Sequence, residues 1–152
     1  MNNRKIIYLI GSLRNEKIPV LANKIRDLKL DVEVFDDWFS PGPEADDYWR
    51  KYEKIRGSTY GEALNNWACR HIYEFDKFHI DRANIGVLYM PCGKSGFLEL
   101  GYMIGKGKKC FILFDEEPQN DRWDIMLVFA KENGGNVCFG FDQLKEKLMN
   151  LK

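Results

Sequence analysis

The chain has 152 residues, of which 45% are hydrophobic, 14% aromatic and 30% charged, a composition typical of one globular domain. The high aromatic content and the lack of sustained heptads exclude a disordered chain and a coiled coil. The 23 basic and 23 acidic side chains balance, so no positive excess is available to bind a phosphate backbone. We therefore expect a single domain over residues 1–152 that does not bind nucleic acid.

Four cysteines are scattered singly through the chain, at Cys69, Cys92, Cys110 and Cys138. None of them forms a CxxC pair or has the spacing of zinc ligands, so we expect isolated buried thiols in a reducing compartment. The apolar run near the N-terminus is too short for a signal peptide, and no stretch approaches the length of a membrane span. The sequence therefore predicts a cytoplasmic protein without membrane contact.

Apolar periodicity in the first third of the chain predicts two strands, a helix and an insert. The first strand is Ile6–Ile10, which ends at Gly11, and apolar residues at positions 21, 25 and 28 indicate a helix after it. A second strand is predicted at 32–35. The pattern then breaks over Asp36–Arg56, a segment that is rich in aromatic residues and punctuated by prolines. We expect this segment to be an inserted loop with a functional role, because long loops in compact domains are usually functional.

The rest of the chain alternates between helical and strand patterns. A long helix is predicted from Tyr60, and we expect His71 to pack on its apolar face, which is formed by Leu64, Trp67, Ala68, His71, Ile72 and Phe75. The remaining predicted elements are a strand at Ile85–Met90, a helix at Gly96–Gly105, a strand at Cys110–Phe114, a helix at Trp123–Lys131, a strand at Val137–Phe139 and a helix at Phe141–Leu151. We expect Asp121 or Asp124 to cap the helix near Trp123.

This alternation predicts a doubly wound α/β fold of the flavodoxin or Rossmann-like type, with a five-stranded parallel sheet and helices on both faces. In such folds, ligands bind outside the carboxyl ends of the strands, where the strand order reverses. Three segments follow predicted strands and are expected to form the site: Gly11–Asn15, Asp36–Trp38 and Pro91–Glu99.

Several familiar motifs are excluded by their spacing. Gly93-Lys94-Ser95 resembles the end of a phosphate-binding P-loop, but position 88, where that motif needs a glycine, is Leu88. No second glycine follows Gly11 at the spacing of a dinucleotide fingerprint. Ser95, His79 and Asp76 could form a triad on paper, yet no nucleophile elbow supports it.

Glu99 stands out because it follows a glycine-rich strand-to-helix junction, where backbone N–H groups attract anions. We expect it in the first turn of the helix. Its apolar neighbours Leu98 and Leu100 favour a partly buried carboxylate that takes part in chemistry. The alternative is a surface carboxylate that complements the helix dipole.

Four pieces of the sequence together carry a resemblance to a known family. The first is Ile7-Tyr8-Leu9-Ile10-Gly11-Ser12-Leu13-Arg14, an opening strand and loop, and the second is Asp76, an acid on a helix. The third is Asp81-Arg82-Ala83-Asn84, before the third strand. The fourth is Glu99-Leu100-Gly101-Tyr102 with Gly105 and Lys108, which is similar to the signature Glu-Leu-Gly-x-Ala-x-x-x-Gly-Lys. In this order and spacing, over roughly Lys5 to Phe114, the four pieces resemble the nucleoside 2-deoxyribosyltransferase superfamily.

The resemblance implies that Glu99 attacks the anomeric carbon of a 2′-deoxyribosyl N-glycoside and forms a covalent intermediate. Asp76 would protonate the leaving base or orient the site. Its alternative is an exposed acid paired with Lys77 or Arg70. Tyr8 would direct the nucleophile through a hydrogen bond, or else it is simply an aromatic residue of the core.

Within that superfamily, Gly11-Ser12-Leu13-Arg14 is closest to the Gly-Ser-Ile-Arg loop of the 2′-deoxynucleoside 5′-monophosphate N-hydrolases, which holds the 5′-phosphate. The resemblance implies phosphate contacts from Ser12, Arg14 and Ser95, with Gly93 allowing the backbone to approach closely. A plain turn serine and a solvated arginine are the alternatives.

Some features depart from the family pattern. Asn84 stands where the family often has Asp, and Gly93 where it often has an acid or a serine. The chain ends without the aromatic tail of some transferases, which puts base exchange in doubt more than glycosidic cleavage. In the insert, Trp38, Tyr48 and Trp49 either stack on a nucleobase or close over the core as a lid.

The sequence therefore leads to an expected hydrolase that splits a (deoxy)nucleoside 5′-monophosphate into base and sugar phosphate. No metal or organic cofactor is implied, because the carboxylate is the nucleophile. The resemblance also implies a homodimer or larger homo-oligomer. The alternatives are a base-exchange transferase and a non-catalytic nucleotide sensor, in which Glu99 binds a ribose hydroxyl.

Overall fold

Strands and helices alternate along the chain and form the expected α/β arrangement in the computed structural model, which describes residues 4–151. The strands are β1 (Lys5–Ile10), β2 (Val32–Phe35), β3 (Ile85–Tyr89), β4 (Lys109–Phe114) and β5 (Asn136–Phe139). The helices are α1 (Ile18–Asp27), α2 (Ala45–Ile55), α3 (Tyr60–Ala63), α4 (Trp67–Arg82), α5 (Lys94–Gly105), α6 (Val128–Glu132) and α7 (Phe141–Met149), and 3-10 turns occupy Asp37–Phe39 and Ile125–Leu127.

All five strands are parallel, in the order β2-β1-β3-β4-β5. β2 adds to one side of β1 and β3 to the other, so the order reverses at β1. The loops after β1 and β3 therefore diverge at the carboxyl edge of the sheet and leave a crevice between them. Tyr8 lies next to Phe35 of β2 and Gly86 of β3 in this part of the sheet.

Helices cover both faces of the sheet, as predicted. Ile7 and Leu9 of β1 belong to the core beneath α1 and α7. Tyr8 and Ile10 point to the opposite face and pack in the core formed with α4, α5 and α6. This alternation along one strand directs the Tyr8 side chain towards the two helices that carry Asp76 and Glu99.

The insert at 36–56 is not the loop predicted from the sequence. It contains the 3-10 turn at Asp37–Phe39 and the eleven-residue helix α2. Its buried anchor is polar: the Glu53 carboxylate accepts a hydrogen bond from Asn66 Nδ2 at 2.8 Å, and the same amide nitrogen donates to Ser58 Oγ at 3.1 Å. An apolar pattern could not reveal a helix that is held by a buried carboxylate and amide.

The long helix predicted from Tyr60 is divided into α3 and α4. Thr59 and Glu62 form a capping box that starts α3, and the helix ends after one turn. The expected apolar face is mostly exposed, and His71 is exposed rather than packed. His79 packs instead, with its ring stacked 3.9 Å from that of Phe35. The later half of α4, with Ile80, is the part that rests on the sheet.

Lys108 joins the end of α4 to the start of β4. Its Nζ donates hydrogen bonds to the carbonyl oxygens of Ile80 at 2.6 Å and of Asp81 and Ala83 at 2.7 Å. These carbonyls include acceptors that the helix end leaves without intrahelical partners. The ammonium group thereby fixes the position of α4 along its axis.

Smaller expectations are also resolved by the structure. Asp124, one of the two predicted caps, accepts a hydrogen bond from the Met126 N–H at 2.9 Å, but the helix predicted at Trp123–Lys131 is a 3-10 turn followed by the short helix α6. The four cysteines are free, with Cys110 and Cys138 buried and the other two half-buried. Within residues 4–151, no helix combines the length and apolar character needed to cross a membrane.

Candidate active site

Tyr8, Asp76 and Glu99 come from three separate elements and meet on the side of the sheet covered by α4 and α5. Tyr8 lies in β1, Asp76 near the middle of α4 and Glu99 in α5. They are close enough for both carboxylate charges to raise the pKa of Tyr8. The structure therefore brings together the three residues to which the sequence assigned chemistry.

Glu99 lies in the second turn of α5 rather than the first, because the helix starts two residues earlier than predicted, at Lys94. Burial raises the pKa of its carboxyl group to about 7, and the nearby charge of Asp76 also raises it. The Tyr8 hydroxyl acts in the opposite direction by favouring the carboxylate. Glu99 is thus a desolvated carboxyl group that loses its proton near neutral pH, not a surface carboxylate.

Asp76 is also a desolvated acid. Burial raises the pKa of its carboxyl group to about 6. The two cations that could have neutralised it are engaged elsewhere: Lys77 pairs with Asp81 at 2.6 Å, and Arg70 lies 3.7 Å from Glu74. Asp76 therefore remains an unpaired acid that faces Glu99.

Tyr8 is fully buried, and its ring stacks on Phe35 with centroids 5.5 Å apart. Its hydroxyl lies beside Glu99 but has no hydrogen-bond partner of ordinary geometry within residues 4–151. Burial is the main reason why the pKa of this hydroxyl is raised, so the group stays protonated. A protonated hydroxyl next to the carboxylate can donate to it and orient it.

The loop after β1 is held in a tight conformation. Ser12 Oγ accepts a hydrogen bond from the Arg14 N–H at 3.1 Å. Gly11 lies so close to α1 that a Cβ atom there would come within 2.4 Å of Ile18 Cδ1. The Arg14 side chain is exposed and makes no ion pair with any residue in 4–151. A guanidinium group is therefore available at the carboxyl edge of the sheet.

The start of α5 packs against the end of β1. A Cβ atom on Gly96 would lie 2.0 Å from Cys92 Sγ and 3.3 Å from Ile10 Cγ2, so a side chain there would displace the Cys92 thiol. This packing puts Ser95 at the same edge of the sheet as Ser12. Gly93 is exposed, and a Cβ atom there would meet nothing, so no contact within the described chain requires glycine at this position.

Cys92 is the nearest thiol to Glu99. Burial raises the pKa of this thiol to about 11, and the charge of Glu99 also raises it. The thiol therefore stays protonated at neutral pH and is a poor nucleophile. Glu99 remains the best candidate nucleophile at this edge of the sheet.

The three aromatic residues of the insert occupy different positions. Trp38 is half-buried between the two cores, and its Nε1–H donates to the Leu9 carbonyl at 2.7 Å, at the end of β1. Tyr48 donates its hydroxyl to Glu44, and Trp49 packs edge-on against Tyr60. Of the three, Trp38 is the one with a hydrogen bond to the end of β1, and its contact with a base stays a prediction.

A chain of contacts that no sequence motif indicated ties the loop after β1 to the rest of this edge. Asp115, the first residue after β4, accepts hydrogen bonds from the Tyr89 hydroxyl and the Lys17 ammonium group. Its pKa is lowered by these two contacts, first by that from Lys17. The position of Asp115 directly after a predicted strand could have indicated it, since such residues line the binding edge.

Within residues 4–151, no group of three or more His, Cys, Asp or Glu side chains is placed to hold a metal ion. Comparisons of the chain with protein-family models and with curated proteins give no match. What the site can do is therefore judged from its own chemistry. Between pH of about 6 and about 7, the Asp76–Glu99 pair holds a single proton, which rests more often on Glu99, the group with the higher pKa. The form with Glu99 ionised and Asp76 protonated, in which Glu99 is a nucleophile and Asp76 an acid, is the minor form of this singly protonated pair.

Proposed function

We propose that the protein hydrolyses the N-glycosidic bond of a (deoxy)nucleoside 5′-monophosphate, with Glu99 as the nucleophile. The observation that carries this proposal is the half-buried pair of carboxyl groups, Asp76 and Glu99, which share one proton near neutral pH. Glycosidic cleavage needs such a pair, because one group must attack the sugar while the other protonates the leaving group.

The first step forms a glycosyl ester. A Glu99 carboxylate oxygen attacks the anomeric carbon, the electrons of the carbon–nitrogen bond pass to the base, and Asp76 supplies the proton that the base takes up. The Tyr8 hydroxyl donates to the other carboxylate oxygen and orients the attack. In the second step, water attacks the same carbon, Asp76 accepts the water proton, and Glu99 leaves as a carboxylate with release of the sugar phosphate.

The phosphate group gives the substrate its second anchor. Arg14 offers an unpaired guanidinium group, and Ser12 and Ser95 carry hydroxyls at the same edge of the sheet. Paired, charge-assisted hydrogen bonds from an arginine suit a dianion better than a neutral 5′-hydroxyl. This arrangement supports a nucleotide rather than a nucleoside as the substrate.

We also place the chain in the nucleoside 2-deoxyribosyltransferase superfamily, on the motifs given above. Asn84 departs from the family pattern, and its role here is supported by contacts with β1: its Oδ1 accepts from the Ile6 N–H at 2.8 Å, and its own N–H donates to the Ile6 carbonyl at 2.9 Å. An amide serves this purpose without a buried charge. A homo-oligomer and a cytoplasmic location complete the proposal, the latter supported by four unpaired thiols.

The test compares the parent protein with Glu99→Gln on a panel of purine and pyrimidine nucleotides, with free base measured by chromatography. The parent should release base, and the variant should lose turnover by at least about a thousandfold while ligand binding, measured by calorimetry, largely survives. Activity of the variant within tenfold of the parent would remove Glu99 from the nucleophile role.

The alternatives give different results in the same assay. A nucleotide sensor would show ligand-induced thermal stabilisation without product at any enzyme concentration. A transferase would release base at an appreciable rate only when a second base is added as acceptor. Glu146→Gln, an exposed carboxylate on α7, is the matched control and should leave turnover unchanged.

A further inference from the structure

A large cavity of the described structure lies outside the proposed active site. It has a volume of about 1110 Å³ and opens at the carboxyl ends of β4 and β5, between these strands and the segment that leads to α6. None of Tyr8, Asp76 or Glu99 lines it. Its volume lies slightly above the range of about 300–1,000 Å³ found for small-molecule sites.

The floor of this cavity is aromatic. Phe114 and Phe139 lie with their ring centroids 5.6 Å apart, and Phe97 of α5 adds a third ring. Trp123 lines the cavity from the opposite segment, with 79% of its surface exposed. Its Nε1–H donates to the Pro118 carbonyl at 3.3 Å, which holds the indole in place while its surface stays open to solvent.

The rim of the cavity is acidic, although the chain as a whole carries no net charge. Five carboxylates line it against a single guanidinium group, that of Arg122: Asp115, Glu116, Glu117, Asp121 and Asp124. Lys17 neutralises Asp115, and Asp124 caps a backbone N–H. The side chains of Glu116, Glu117 and Asp121 have no ion-pair or hydrogen-bond partner within residues 4–151, so their charge is available to a ligand.

We propose that this cavity is a second binding site, which takes a small organic cation with an aromatic body. The rings of Phe114, Phe139 and Trp123 would contact the body and present their negative faces to the charge. The unpaired carboxylates of the rim would lie near the ammonium or guanidinium group. A metal ion fits poorly, since no three carboxylates of the described chain converge to ligand it.

The probes for this site are 2-phenylethylamine and its neutral counterpart 2-phenylethanol, which differ by an ammonium group in place of a hydroxyl. Calorimetric titration into the full chain should show that the amine binds at least about tenfold more tightly than the alcohol. Raising the salt concentration from about 0.05 to about 0.5 M should weaken binding of the amine and leave that of the alcohol unchanged.

Variants connect the binding to the cavity. Trp123→Ala should weaken binding of the amine about three- to tenfold. The double variant Glu117→Gln, Asp121→Asn should reduce its preference over the alcohol. Trp67→Ala is the matched control, because Trp67 lies on α4 outside the cavity and is also 79% exposed. Far-ultraviolet circular dichroism checks that each variant is folded.

Three results would overturn the proposal. The first is the absence of binding of the amine at millimolar concentration to the folded parent. The second is equal affinity for amine and alcohol, which would mean a merely apolar cavity. The third is an equal loss of affinity in Trp123→Ala and Trp67→Ala, which would mean non-specific adsorption to exposed indoles.

Discussion

Asp76 and Glu99 are the residues whose ionisation decides what the proposed active site can do. Productive chemistry needs the single proton of the pair on Asp76 and the charge on Glu99, and the pKa values of the two groups lie at about 6 and about 7. The productive form is therefore a minor fraction of the singly protonated pair, and its amount follows the total of that pair as the pH changes. We expect kcat/KM for the nucleotide to follow a bell-shaped curve with its maximum near pH 6.5, falling tenfold per pH unit on either side. The curve is measured as base release at low substrate concentration from about pH 4.5 to about pH 9.

Asp76→Asn is the informative variant for this profile. It removes the acid, so the fall in rate at high pH should disappear. It also removes a negative charge that raises the pKa of Glu99, so the remaining acidic limb should move to lower pH. A parent profile that is flat from pH 5 to pH 8 would contradict a carboxyl pair that shares one proton.

The burial of Glu99 also makes the stability of the fold depend on pH. Its pKa is about 7 in the folded chain against an ordinary value of 4.5, so the fold favours the neutral form. Protonated Glu99 therefore adds to the free energy of unfolding, and this contribution is complete below about pH 4.5 and is lost as the pH rises through about 7. Glu99→Gln carries no charge at any pH and should therefore be more stable than the parent by on the order of 2–3 kcal/mol at pH 8.

Urea denaturation at pH 8 and at pH 4.5 measures this difference in unfolding free energy. At pH 4.5 the parent carboxyl is protonated, and the gain of the variant should shrink to a few tenths of a kcal/mol. Glu146→Gln, at an exposed position, should show no gain at either pH. An equal gain for Glu99→Gln at both values would show that packing, rather than charge, is responsible.

At the level of elements, the loop after β1 is expected to select the phosphorylated substrate. Arg14→Ala should lower kcat/KM for the nucleotide by at least about tenfold, the effect of losing one charged hydrogen bond, and leave the matched nucleoside nearly unchanged. The measurement is kcat/KM for both substrates on both proteins. Arg50→Ala, which removes an exposed arginine of α2, is the control and should affect neither substrate.

Equal kcat/KM values for nucleotide and nucleoside on the parent would mean that no phosphate site exists here. The chain would then be functionally nearer to an enzyme that acts on nucleosides. A parallel loss for both substrates in Arg14→Ala would instead give Arg14 a role in holding the loop.

The sequence predicts strands and helices well where their buried side chains are apolar, and poorly where the buried side chains are polar. β1, β3 and β4 are runs of buried aliphatic residues, and their periodicity identified them within one residue. Helix α2 was not predicted because its buried side chain is the carboxylic acid Glu53, of which one oxygen accepts a hydrogen bond from Asn66 of another element. Such a partnership between distant polar residues leaves no periodic trace in a sequence.

The residues of the candidate site could be proposed from the sequence, but the shifts of their pKa values could not. Tyr8, Asp76 and Glu99 were identified from motifs that resemble a known family. Their raised pKa values depend on how α4 and α5 close over β1, and this is a property of packing. The same holds for His79, whose stacking on Phe35 depends on the angle at which α4 meets the sheet.

At the scale of the whole molecule, the exposed apolar side chains of α4 indicate how two copies would associate. Beyond Trp67 at the start of this helix, four large apolar side chains are substantially exposed: Ile72, Tyr73, Phe75 and Phe78. Each aromatic residue can bury about 150–250 Å². At roughly half exposure the four supply several hundred Å², about half of the roughly 800 Å² per partner of a standard interface. We therefore expect a symmetric dimer through this surface.

Ile72→Glu should shift the chain from dimer to monomer, because the introduced charge would have to be buried twice in a symmetric contact. Sedimentation or size exclusion with light scattering at about micromolar concentration measures the mass. Val20→Glu on α1 is the matched control, with Val20 53% exposed against 56% for Ile72, and should leave the mass unchanged. A parent chain that is monomeric throughout this concentration range would exclude the dimer.

The contact between Lys108 and the end of α4 limits which residues can replace Lys108. All three protons of the ammonium group are directed at backbone carbonyls, which belong to Ile80, Asp81 and Ala83. An arginine would keep the charge, but its planar fork cannot point three donors at carbonyls that surround a single nitrogen. Charge-conserving replacement is therefore no milder here than neutral replacement. We expect related chains to retain lysine at this position because its single nitrogen carries three donors, whatever substrate each chain acts on.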